Sequence, residues 1–336
     1  MFLWENLTDE ELLNWRICDL KLKIEGTDLE VRIAELKQEL LDKGLVFQPS
    51  CFLGDEWFCP DEVPIIAIPF YLANARLKQL EKKMILEVEG GTKESCMRLL
   101  RHEAGHAINY AYLLHKKKRW GELFGAFSTN YPDTYRPQPY SKRFVRNLEN
   151  WYAQYHPDED FAETFAVWLE PQSNWREKYK GWKAIEKLEY VEELMKEIAG
   201  VPPLVKGGKK MCDASKLKQK LSTYYSRKRL AYAEDMPGFY DSDLKRIFSD
   251  IAAEATHETA AAFLRKNRLT ITDSVYLWTE GKKIMISRLL KNLTMRCREL
   301  KLYRRYDEGL TLMHVSTFLT SMVTNYLFTG KLKRHL

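Results

Sequence analysis

The chain has 336 residues, of which 45% are hydrophobic, 12% aromatic and 30% charged. This composition excludes a chain dominated by disorder and provides enough apolar material for a sizeable core and two domains. The net charge of +6 is uneven, because residues 201–336 hold 26 Lys and Arg against 13 Asp and Glu, so they carry +13 and the first 200 residues carry −7.

The first residues, Met1 to Glu5, move quickly into acidic sequence without the basic and apolar regions of a secretory signal. We therefore expect a cytoplasmic protein. The six cysteines form no CxxC pair, which argues against both a zinc ribbon and a dense disulfide framework. We expect reduced thiols at Cys18, Cys51, Cys59, Cys96, Cys212 and Cys297.

The region before residue 90 combines helical and strand patterns. Thr8 can cap a first helix, and a second helical pattern covers Asp28 to Leu41. Residues 46–60 and 63–72 contain β-branched and aromatic residues around a turn, and residues 83–88 end at a Gly pair, so we predict strands in all three. The last strand would line a substrate cleft. These patterns predict an α+β catalytic domain with a small mixed sheet.

The pentapeptide His102-Glu103-Ala104-Gly105-His106 lies in a predicted helix that Thr92 can cap. Residues four apart lie on nearly one helix face and rise about 6 Å, so the imidazoles of His102 and His106 can reach one ion. Glu103 lies about 100° round the helix, where it can act as general base on a metal-bound water. This spacing indicates a metallopeptidase.

Catalytic zinc takes three protein ligands and leaves a fourth position for water or substrate. Asn109 and Tyr112 occupy the Gly and His positions of the metzincin pattern, so that class is excluded. A second helix is predicted from Pro157 to Leu169, with Glu159 and Glu163 four apart on one face. From spacing alone, either glutamate can supply the third ligand.

His156 is a further candidate for the third ligand, but Pro157 follows it and favours an extended backbone outside the helix. A structural role at the helix start is the preferred interpretation. A third His would instead resemble the SprT-like peptidases that act on DNA-bound proteins.

The pentapeptide, followed by the residues His156 to Leu169, resembles the zinc-binding metallopeptidases of the gluzincin type. The block Glu159-Asp160-Phe161-Ala162-Glu163 is also similar to a Glu-Phe-Phe-Ala-Glu block of the anthrax lethal factor. This resemblance implies a zincin-like domain in which Glu159 binds Zn²⁺ and Glu163 orients a ligand His. It further implies that Tyr152, seven residues before Glu159, stabilises the oxyanion.

The connection between the two helices, residues 116–150, is long and rich in aromatic and turn residues, and we expect it to form either a wall over the cleft or a solvated loop. Beyond Leu169, Val201-Pro202-Pro203 and the Lys and Gly residues at 206–210 indicate a linker. We therefore predict a catalytic domain over 1–204 and a basic, mainly helical domain over 205–336. Within it, Leu310 to Phe328 lacks charged residues but contains too many polar ones for a membrane span, so a largely buried helix is predicted.

The leading hypothesis is a zinc-dependent peptidase acting on a peptide or protein substrate, with His102, His106 and Glu159 as ligands and Glu103 as base. One alternative is a noncatalytic adaptor that zinc stabilises and whose basic half binds an acidic partner. Another is the SprT-like peptidase, which predicts nucleic-acid affinity that falls steeply with salt. Scattered Lys and Arg on helices are more often a solvated surface than a nucleic-acid site.

Overall fold

The computed structural model describes residues 2–85, 87–132, 138, 141–149, 151–231, 240–251 and 256–329. The chain divides into two compact units. The first comprises Met1–Met84 and Val88–Tyr224, and the second comprises Ile85–Glu87 and Tyr225–Leu336. The architecture is mostly helical with two small sheets, which agrees with the predicted α+β class.

The first unit contains the two-stranded sheet and most of the chain's early helices. Its elements are α1 Asp9–Leu13, α2 Asp28–Asp42, β1 Ser50–Gly54, β2 Ile65–Pro69, α3 Ala75–Ile85, α4 Lys93–Tyr112, α5 Lys118–Phe124, α6 Pro157–Leu169, α7 Trp175–Lys178 and α8 Ala184–Ile198. Helix α9, Leu221–Ala231, begins in this unit.

Strands β1 and β2 are parallel, in a register that runs from Ser50 opposite Ile65 to Gly54 opposite Pro69. Phe58 adds one antiparallel bridge to Ala67. The predicted strand at residues 83–88 is wrong, because α3 continues to Ile85. Leu77 and Leu80 are fully buried at helical spacing, and this periodicity outweighs the short apolar run that follows.

Helices α4 and α6 begin where the sequence predicted them. Thr92 caps α4 by accepting a hydrogen bond from the Ser95 N–H, and Pro157 is the first residue of α6. The two helices pack very closely at Gly105, where a Cβ atom would lie 2.8 Å from the Ala162 Cα. Only glycine permits this approach.

A buried ion pair connects α4 to α2. The guanidinium of Arg101 donates to both carboxylate oxygens of Glu39, at 2.8 and 2.7 Å, and it also contacts Glu170 just beyond α6. The residue that precedes His102 therefore fixes α4 against its neighbours.

The last segment of the first unit forms backbone hydrogen bonds with a segment near the start of the chain. The N–H groups of Ile17 and Cys18 donate to the carbonyls of Gln219 and Leu217, at 3.1 and 2.9 Å, and the Leu221 N–H donates to Trp15. Residues 205–224 consequently belong to the first unit, whereas the sequence placed the boundary after residue 204. The Pro and Gly residues near 205 mark an irregular segment within this unit.

The second unit is helical around an apolar core. Its elements after α9 are α10 Asp241–Ile247, β3 Phe248–Ser249, α11 Ala260–Lys266, α12 Arg268–Thr279, α13 Lys283–Glu299, β4 Tyr303–Arg304 and α14 Glu308–Thr329. Strands β3 and β4 are antiparallel.

Helix α14 buries one face, not most of its surface as predicted. Val315, Leu319 and Val323 are buried at four-residue spacing, whereas Met313 is 57% exposed. Among the residues that the structure describes, none of the helices combines the length and the apolar character that a membrane span requires.

Candidate metal centre

Two imidazoles on α4 converge on one point. His102 and His106 are both buried, and their Nε2 atoms lie 3.2 Å apart. The four-residue spacing predicted this convergence. Because each ring turns the same nitrogen inward, the two rings present a pair of donors to a common centre.

Helix α6 supplies a third donor to this centre. The Oε2 atom of Glu159 lies 3.1 Å from the His102 Nε2 and 3.2 Å from the His106 Nε2. Two donors of a tetrahedral zinc ion, each bonded at its usual length, stand about 3.3 Å apart. The three separations match this value, so the residues fit a metal ion of that size. Within the described residues, these three form the group that can hold a metal ion.

The outward nitrogen of each imidazole contacts a carboxylate of α6. His102 Nδ1 lies 2.8 Å from Glu163 Oε1, and His106 Nδ1 lies 2.8 Å from Asp158 Oδ2. Each Nδ1 therefore donates a hydrogen bond to its carboxylate, so that Nε2 is the atom that would coordinate an ion at the centre. Metal-binding histidines usually have such a partner, which fixes both the tautomer and the orientation of the ring.

Both carboxylates are in turn held in place. Glu163 accepts hydrogen bonds from the Asn147 side chain at 2.9 Å and from the Leu148 N–H at 2.8 Å. Asp158 accepts from the Asn109 amide at 2.7 Å and from the Tyr110 hydroxyl at 2.5 Å. Glu163 therefore occupies the supporting position that the family resemblance implied for it.

The electrostatics of the centre favour a cation. Burial would lower the pKa of His102, but its hydrogen bonds to Glu159 and Glu163 raise that pKa to about 10. Burial acts to raise the pKa of Glu159, yet the neighbouring His106 and His102 bring it well below its usual range. The carboxylates thus stabilise positive charge at the point where the three donors meet.

Glu103 lies on α4 beside these donors and differs from the other acids. Its side chain is buried, and burial raises its pKa to about 7. Its Oε2 atom has no hydrogen-bond partner among the described residues. A buried carboxylate with a free oxygen is costly to maintain for stability alone, so this atom is available to a bound molecule.

Tyr152 lies in a short 3₁₀ helix just before α6, and its ring centroid is 5.7 Å from that of His102. Burial, and then the charges of Glu159 and Glu103, raise the pKa of its hydroxyl above the usual range. The structure therefore places Tyr152 beside the centre in its neutral, proton-donating form.

His156 has both ring nitrogens engaged away from the centre. Nδ1 accepts from the Asp158 N–H at 3.1 Å as the N-cap of α6, and Nε2 donates to the Thr129 carbonyl at 2.7 Å. The side chain therefore lies outside the three-donor group, which agrees with the preferred structural interpretation.

The long connection contributes a residue to the site that sequence reasoning missed. The hydroxyl of Tyr131 donates to Glu159 Oε1 at 3.0 Å. Its aromatic neighbours in the sequence were the only available signal, since no spacing relates Tyr131 to the helices. Residues 133–137, 139–140 and 150 of the connection lie outside the described residues, so the predicted wall over the cleft stays a prediction.

Comparisons with protein-family models, with curated proteins and with solved structures found no match. The zincin-like fold and the gluzincin resemblance therefore stay predictions.

Proposed function

We propose that this protein is a zinc-dependent metallopeptidase that hydrolyses a peptide or related amide bond in a peptide or protein substrate. The observation that carries the proposal is the meeting of three donor atoms from two helices, with each imidazole held by its own carboxylate. Zinc is proposed because two nitrogens and one oxygen at these separations suit its tetrahedral coordination.

His102, His106 and Glu159 would hold the ion, and the fourth place would remain open to water or substrate. An ion held there would supply Lewis-acid chemistry, which lowers the pKa of a water molecule toward neutrality. Glu103 would take a proton from the attacking water through its unpaired Oε2 and later give it to the leaving amine. Its buried position keeps this proton near the reacting atoms.

Tyr152 is proposed to donate its hydroxyl proton in a hydrogen bond to the carbonyl oxygen of the scissile bond. That oxygen gains negative charge as water attacks, and a fixed neutral donor lowers the barrier. The raised pKa of Tyr152 supports this role because it keeps the proton on the phenol.

Free thiols support the cytoplasm as the proposed compartment, since all six cysteines are unpaired. The engagement of both nitrogens of His156 supports the Glu159 arrangement over the three-histidine site of a SprT-like peptidase.

The Glu103→Gln variant tests the proposal. We expect hydrolysis of a peptide library to fall by about 10²–10⁴-fold, because the general base is lost, while zinc content stays unchanged. Glu94→Gln is the matched control, because Glu94 is an exposed acid in the first turn of the same helix. Equal hydrolysis by parent and Glu103→Gln protein would refute the assignment of the base. A parent protein that binds zinc tightly without hydrolysing peptides would indicate the noncatalytic adaptor instead.

A further inference from the structure

Residues 125–132 form a strap that leads from the end of α5 past the start of α6. At its first residue, Gly125 has a φ of +109°, and a Cβ there would lie 3.1 Å from the Pro157 side chain. The strap therefore contacts the first turn of the helix that carries Glu159.

His156 holds the strap in place. Its Nε2 donates to the Thr129 carbonyl, and its ring stacks on that of Tyr131 with centroids 3.9 Å apart and planes 12° from parallel. Farther along, the Tyr155 hydroxyl donates to the Pro132 carbonyl at 3.0 Å. The position of the Tyr131 ring is thus fixed from two sides.

This arrangement divides the two oxygens of Glu159 between different partners. Oε1 accepts the hydrogen bond from Tyr131 at 3.0 Å, whereas Oε2 faces the two imidazole nitrogens at 3.1 and 3.2 Å. A carboxylate that is free to turn can bind an ion through both oxygens, and its second oxygen would then take the place that water needs.

We propose that Tyr131 is a positioning residue that restricts Glu159 to one-oxygen coordination and so keeps the fourth place of the metal open. The inference rests on the proposed metal site and deepens it. Through the stack, His156 acts on the same ligand, which gives this residue a role in the site although it binds no metal itself.

The Tyr131→Phe variant tests this role, because it removes the hydroxyl and keeps the ring that stacks on His156. Tyr131 is 46% exposed, so the change leaves the core intact. We expect the zinc dissociation constant to rise about 10–100-fold. In cobalt-substituted protein, we expect the visible absorption bands to weaken, since these bands are less intense when the coordination number rises.

Tyr112→Phe is the matched control, because the Tyr112 hydroxyl also makes one hydrogen bond, to the Val201 carbonyl at 2.7 Å, and contacts neither the strap nor the three donors. Its zinc affinity and cobalt spectrum should equal those of the parent. A Tyr131→Phe protein with the parent's affinity and spectrum would overturn the inference, and so would a parent protein that takes up neither metal. A parent that binds both metals but cleaves no peptide would overturn the proposed peptidase function and leave the role of Tyr131 supported.

Discussion

The two units of this molecule bury very different residues. The core of the second unit is an apolar cluster of Leu, Ile, Val and aromatic side chains from α10 to α14. The first unit also has a buried apolar core, but it additionally buries a series of charged or ionisable groups around α4 and α6. These groups are Arg101, His102, Glu103, His106, Asp158, Glu159, Asp160 and Glu163.

Buried charge costs free energy unless it is paired, and an apolar core of the same volume is often as stable. Most of these groups have such a partner, as Arg101 has in Glu39 and Asp160 in Lys187. Glu103 Oε2 and Asp160 Oδ1 both lack a hydrogen-bond partner among the described residues, but the other oxygen of Asp160 is paired with Lys187. The first unit therefore departs from simple apolar packing around α4 and α6, and places where a protein does so are usually functional.

The largest effect on stability is expected from Arg101→Met, because it leaves Glu39 buried without its cation. We expect the free energy of unfolding of the first unit to fall by about 3–5 kcal/mol. Urea unfolding monitored by tryptophan fluorescence measures this change, since eight of the nine tryptophans lie in that unit.

Arg296→Met in the second unit is the control for that change. Arg296 also forms a two-pronged pair, with Asp241, but both side chains are about 40% exposed. We expect the free energy of unfolding of that unit to fall far less, because water screens an exposed pair. Similar losses for the two variants would show that burial does not distinguish the two units.

Metal removal should give the next largest effect and should act on the first unit alone. Zinc at 100 times its dissociation constant stabilises its binding unit by about 2.7 kcal/mol. Addition of a chelator should therefore lower the melting temperature of the first unit by roughly 5–11 °C. Amide hydrogen exchange should quicken in α4 and α6 and stay constant in α13, and a uniform response would contradict the assignment of the metal to the first unit.

Gly105→Ala should give the smallest of these effects. The added Cβ would lie 2.8 Å from the Ala162 Cα, so α4 and α6 must separate, at a cost of about 1–3 kcal/mol. Zinc affinity should fall as well, because Glu159 lies one turn before Ala162. Gly121→Ala in α5, where no atom lies within 4 Å, should instead stabilise the protein by about 0.5–1 kcal/mol. Isothermal titration with zinc and urea unfolding measure both quantities.

The sequence predicted the two site helices well, because their caps and first turns are local signals that need no tertiary contact. It could not choose between Glu159 and Glu163, since residues four apart share one helix face. The choice depends on Asn147 and Leu148, which bind Glu163 from a distant part of the connection. Tyr131 was missed for the same reason, because its hydrogen bond to Glu159 also joins the connection to a helix that is distant in the sequence.

Two errors in the fold have related causes. Residues 83–85 continue α3 because the preceding buried leucines already define a helix, and a six-residue window does not include them. The domain boundary was misplaced because local Pro and Gly content does not reveal which distant backbone a segment pairs with. Both the pairing of residues 217–221 and the assembly of the site are long-range properties.

The return of the chain to its own beginning bears on how the protein can be divided for recombinant expression. A fragment that stops at residue 204 would remove the partners of Trp15, Ile17 and Cys18 and expose the main chain that they cover. The Tyr224 hydroxyl also donates to the Asp55 carbonyl, at 3.0 Å. A shortened protein intended for crystallisation or for screening inhibitors should therefore extend through Tyr224.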